Sequence, residues 1–146
     1  MGDIGRISGK EGLFEVLDTQ VSQGCYLHIG KQISGSMQSN QTIKAEVDPE
    51  TRGKTRSNHS ATHLVHAALR STLGDHVEQK GSYVDSSKLR FDFSHKKALS
   101  VSELSEVERL VNNQIRANHP IGTEVKDFQK ALEDGALAFF EEKYSG

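Results

Sequence analysis

The chain has 146 residues, a formal net charge of −2 and 34% hydrophobic residues, with no tryptophan. That length allows one domain or two small ones, with enough chain to bury a core unaided by cross-links. A single cysteine, Cys25, excludes an internal disulfide and fits a reducing, cytoplasmic setting. The balanced charge excludes a strongly basic nucleic-acid binder, so any RNA contact must come from a local patch. No apolar run approaches the ~18 residues of a membrane-spanning helix. The opening MGDIGRISGKEG holds no apolar signal core and reads as the start of an excised piece.

Along residues 1–47, GLFEVLDTQ, CYLHIGKQI and QTIKAEVD alternate in short runs separated by turns such as SGSMQSN. They predict a small antiparallel sheet, a barrel-like β segment. DPETRGKTRSN, residues 48–58, is polar and basic and reads as a linker. From Asn58, a good N-cap, the period becomes helical and predicts a helix over 59–73. At helical spacing Ala61, Leu64, Val65, Ala68 and Thr72 share one face, with His59, His63, His66 and Arg70 on the other. KGSYVD and KLRFDFS predict a hairpin. A second helix is expected over 101–118, opened by a capping box of Ser100 and Glu103 and carrying an apolar stripe of Leu104, Val107, Val111 and Ile115. HPIGTEVKDF reads as a strand, QKALEDG as a short helix ended by Gly135, and ALAFFEEKY as a last apolar segment. The expected class is α+β: the β segment, then residues 59–146 as a second domain in which two main helices pack on an antiparallel sheet.

Three of the seven histidines fall in HSATHLVH, residues 59–66. His59 and His63 stand one helical turn apart, with side-chain roots ~5–6 Å from each other, so both imidazoles can reach one metal ion. A zinc site needs four ligands, or three and water. The metalloprotease pattern H-E-x-x-H is excluded, because Ser60 occupies the place of its glutamate. His66 reads as a neighbour rather than a ligand. Cys25 and His28 form a C-x-x-H in the β half, but residues three apart on a strand face opposite sides. His76, His95 and His119 read as isolated surface histidines. Arg52, Lys54 and Arg56 form a small basic cluster, which fits either a solvated linker or a contact to nucleic-acid phosphate.

The stretch RSNHSATHLVHAALRSTLGDHVEQKGSYVDSSKLRFDFSH closely resembles the editing domain of bacterial alanyl-tRNA synthetases, and VERLVNNQIRANHPI and GALAFFEEKY continue the match. GDIGRI, FEVLDTQ and HIG resemble the β-rich segment before that domain. The resemblance implies that residues 59–146 form an editing domain. In it His59 and His63 would be the first two zinc ligands, and Thr62 and Gln79 would line the pocket that discriminates the amino acid. The remaining ligands would come from a downstream C-x-x-x-H, and the chain ends at Gly146 before any such motif. The chain is thus expected to be a fragment of the synthetase that folds without zinc, binds it weakly and is inactive alone. One departure is Glu141, where the family usually has glycine.

The activity implied is hydrolysis of tRNA(Ala) mischarged with serine or glycine. Its catalytic residues stay unassigned. ATP and magnesium would belong only to an aminoacylation region absent from this chain. The partner is tRNA(Ala); no DNA, no membrane and a monomeric state are expected. Two other readings are a free-standing trans-editing deacylase and a non-catalytic module that positions tRNA.

Overall fold

In the computed structural model, the structure describes residues 2–135. The segment ALAFFEEKY, with Glu141, lies outside the described residues. The element order is β1 (Gly5–Ser8), β2 (Gly12–Ser22), β3 (Cys25–Gly35), β4 (Lys44–Val47), α1 (Pro49–Leu73), β5 (Gln79–Val84), β6 (Leu89–Phe93), α2 (Val101–Ala117) and α3 (Phe128–Glu133). The class is α+β, with antiparallel sheet pairing.

Contacts divide the chain into two units. One runs to Thr62 and takes in Tyr83–Arg90; the other is His63–Ser82 with the chain from Phe91 onward.

In the first unit, four strands lie in the order β3-β2-β1-β4. The small antiparallel sheet is formed as expected, but it is open, with β3 and β4 at its edges, and does not take the expected barrel-like form. Gln23 and Gly24 have positive φ (50° and 76°), which closes the β2–β3 hairpin in two residues. The register sets Ile7 opposite Phe14 and Val16 opposite Gly5. Ile7 and Val16 are the buried apolar side chains of this sheet. Strand β2 shifts register against β3 between Val16 and Asp18.

Helix α1 starts ten residues earlier than its apolar periodicity suggests. Residues 49–58, expected to be a linker, are helical, and Asn58 is interior rather than an N-cap. The start has its own local chemistry. The Asp48 carboxylate accepts from the Thr51 N–H at 2.8 Å, and Pro49 sits at the first helical position. The next turns are held by polar contacts: Lys54 to Glu50 at 2.6 Å and the Thr55 hydroxyl to the Thr51 carbonyl at 2.9 Å. Asn58 Nδ2 donates to the Asp85 carbonyl at 2.8 Å, which ties the helix to the β5–β6 turn.

Strands β5 and β6 form the expected two-stranded sheet. In the second unit the hairpin's open end is closed by the Ser94 N–H on the Glu78 carbonyl (3.0 Å) and by the Ser94 hydroxyl on the His76 carbonyl (2.8 Å). Helix α2 carries the capping box of Ser100 and Glu103 and ends at Asn118 in the left-handed region. Its apolar stripe is covered only in part: Leu104 and Ile115 are exposed, and no α2 residue is buried. Helix α3 appears where QKALEDG predicted it. The strand expected at 119–128 is not formed. Its apolar residues Ile121 and Val125 are exposed, so among the described residues no packing rewards an extended pairing there.

Candidate functional site

Helix α1 supplies most of the candidate side chains. Its buried arc is centred on Thr62, His66 and Leu69, with Ala68 also buried. His59 and His63 are exposed. The expected histidine stripe is therefore split. His59 and His63 keep their one-turn relation on the open side, while His66 turns into the protein.

His66 is buried because both parts of its ring find partners. Its Nε2 lies 3.4 Å from the Val77 carbonyl, which can only accept, so Nε2 is the donor. Its face packs on Phe91, with ring centroids 5.1 Å apart. A buried polar group is tolerated when its hydrogen bond is made. That partner lies eleven residues away, beyond what helical spacing can reveal.

Thr62 is 5% exposed, and its hydroxyl donates to the Asn58 carbonyl at 2.9 Å. The donor is thus used within the helix, and the oxygen retains acceptor capacity. Gln79, the first residue of β5, is half-buried, and its Nε2 donates to the Ser82 hydroxyl at 3.1 Å. Among the described residues no group of three or more His, Cys, Asp or Glu side chains is placed to hold a metal ion.

Contrary to what the sequence suggested, His76 and His95 are not isolated from each other. His76 Nε2 and His95 Nδ1 stand 2.9 Å apart, with the rings stacked at a centroid distance of 5.2 Å. The pair joins the α1–β5 connection to the residues after β6, and the 19-residue separation hides it from spacing arguments. Cys25 and His28 are exposed on the edge strand β3, opposite Ser22 and Thr19 respectively. His119 is exposed just after α2.

The basic cluster is largely paired. Arg52 meets Asp3 at 2.9 Å, and Lys54 meets Glu50, whose hydrogen bond raises the Lys54 pKa. At the β5–β6 turn, Asp85 is lowered to about 2, first by the Ser87 hydroxyl and then by the backbone N–H groups of Ser87 and Lys88. Tyr83 is raised by its hydrogen bond to Asp85. No helix among the described residues is long and apolar enough to cross a membrane.

No protein-family model matches the chain. Individual relatives match closely. An alanine–tRNA ligase of Shewanella loihica is 52% identical over 143 residues, which is 98% of this chain and 16% of that protein. Those of Nitrosococcus oceani and Saccharophagus degradans are 48% and 49% identical over 99% and 98% of this chain, again 16% of each relative. The chain thus spans about a sixth of the length of these curated relatives. By sequence, then, it corresponds over almost its whole length to one segment of the bacterial alanine–tRNA ligases.

Proposed function

We propose that this chain is the editing segment of an alanine–tRNA ligase, acting in the cytoplasm on tRNA(Ala) mischarged with serine or glycine. The observation that carries the reading is the His59–His63 pair, one turn apart and exposed on α1, in a chain about half identical to alanine–tRNA ligases.

A ligase of this kind has a physical need for a second site. A pocket sized for alanine cannot exclude the smaller glycine by sterics, and it rejects an added hydroxyl only weakly. In the editing step, water adds to the ester carbonyl, the bond to the terminal ribose oxygen breaks, and free serine and tRNA leave. Thr62 and Gln79 would read the serine hydroxyl, which alanine lacks. Because Thr62 donates to Asn58, its oxygen would accept from that hydroxyl. His59 and His63 would be two ligands of a zinc ion whose remaining ligands lie outside the described residues. When bound, zinc supplies Lewis acidity toward water or an anchor for the substrate amino group.

The test is a full-length alanine–tRNA ligase carrying this chain in place of its own segment; the Shewanella loihica protein is a suitable host. Hydrolysis of Ser-tRNA(Ala) that is lost on His59→Ala or His63→Ala, together with bound zinc, supports the reading. Binding of tRNA with no hydrolysis would instead favour a non-catalytic positioning module. Calorimetric zinc titration of the chain alone is expected to show weak binding. Tight stoichiometric zinc would overturn the two-ligand assignment.

A further inference from the structure

The connection from α1 to β5 is short, and the Arg70 side chain spans it. Gly74, with φ of 110°, ends the helix by donating its N–H to the Arg70 carbonyl at 2.9 Å. The Val77 N–H then turns back to the Gly74 carbonyl at 3.2 Å. Across this turn, Arg70 Nη1 donates to the Asp75 carbonyl at 2.8 Å and to the Val77 carbonyl at 3.1 Å, while Nη2 meets Asp75 Oδ1 at 2.8 Å. The Val77 carbonyl also receives His66 Nε2, from one turn earlier on the same helix. Val77 itself is fully buried.

These contacts differ in weight. The Asp75 side chain is 97% exposed, so its ion pair with Arg70 is screened and contributes little. The two carbonyls matter more, because they are main-chain groups immediately upstream of β5. Both accept from Nη1, whose two N–H bonds are held in the guanidinium plane at the far end of the side chain; a lysine ammonium ends one bond short of that position and turns freely.

We propose that Arg70 is a positioning residue: by holding the Asp75 and Val77 carbonyls it fixes the register at which the chain enters β5, and so where Gln79 stands relative to the α1 turn of His63. The consequence for serine recognition rests on the editing reading given above. Arg70 touches no substrate in this scheme and acts through Gln79, two residues beyond the Val77 carbonyl.

The experiment is Arg70→Lys in the full-length ligase carrying this chain, with Asp75→Ala as a companion and amide hydrogen exchange on the chain alone. For Arg70→Lys, kcat for Ser-tRNA(Ala) hydrolysis is expected to fall about tenfold or more, with KM for the tRNA unchanged within about twofold, since a misplaced recognition group costs rate more than binding. Asp75→Ala removes only the exposed ion pair and is expected to stay within about twofold of the unsubstituted protein. In Arg70→Lys the amides of Val77 to Gln79 should exchange faster, while those of β1 and β2 keep their protection. Editing by Arg70→Lys at the unsubstituted rate would overturn the proposal. So would a loss confined to KM, or a uniform rise in exchange over the whole chain. If the unsubstituted ligase does not hydrolyse Ser-tRNA(Ala), the editing reading falls by itself. Exchange then decides the positioning role: faster local exchange supports it and unchanged exchange overturns it.

Discussion

Val77 offers a sharp test of where the second unit keeps its core. Val77 is 0% exposed, whereas Val125, the same residue type, is 101% exposed. Truncating each to alanine removes the same atoms from opposite environments. Two buried carbon groups at ~0.8 kcal/mol each give about 1.6 kcal/mol of lost transfer free energy. A cavity of roughly 40–50 Å³ at ~24 cal/mol per Å³ adds about 1 kcal/mol if the site does not collapse. Val77→Ala should therefore cost about 2–3 kcal/mol, and Val125→Ala less than about 0.5 kcal/mol. Urea unfolding followed by far-ultraviolet circular dichroism measures both, and an unchanged slope would show that the native state is what altered. The truncation leaves the Val77 carbonyl in place, so the contacts from Arg70 and His66 should survive it. Equal effects at the two valines, or a cost below ~1 kcal/mol at Val77, would refute the assignment of core and surface.

Gly53 lies inside α1 with nothing within 4 Å of the place an added Cβ would occupy. Gly53→Ala is expected to stabilise the chain by about 0.5–1 kcal/mol, read as a higher urea midpoint. Gly35 is the opposite case: its φ is +62° and a Cβ would collide with the Glu11 carbonyl oxygen, so Gly35→Ala should lower the midpoint. The Asp85 carboxyl is lowered from 3.8 to about 2 in the fold. A lowered pKa means that its contribution is present above the unfolded value and is lost as pH falls through the folded one, so the β5–β6 turn should loosen between about pH 4 and 2. Carboxyl carbon shifts of Asp85 titrating near 3.8 would contradict this.

Much of the local structure was legible in the sequence because its causes are local. The Ser100–Glu103 capping box opened α2 where expected, and KLRFDFS, read as one arm of a hairpin, holds β6. The one-turn spacing of His59 and His63 follows from helical geometry alone. The start of α1 was also written locally, in Asp48 and Pro49. Apart from Pro49 and Gly53, residues 49–58 are all polar or charged, however, so a reading based on hydrophobic period passes over them.

Other features belong to the tertiary structure. HPIGTEVKDF alternates like a strand, but a strand requires a partner and a buried face, and among the described residues Ile121 and Val125 have no such cover. His66 follows the spacing of His59 and His63, yet it is buried because the Val77 carbonyl and the Phe91 ring receive it. His76 and His95 look unrelated along the chain until the hairpin closes and brings their ring nitrogens to 2.9 Å. Sequence determined which residues could cap, turn or share a helix face, since those interactions reach only a few positions. The tertiary structure decided which polar side chains were buried, because burial of a polar group is stable only where a distant chain segment supplies its partner.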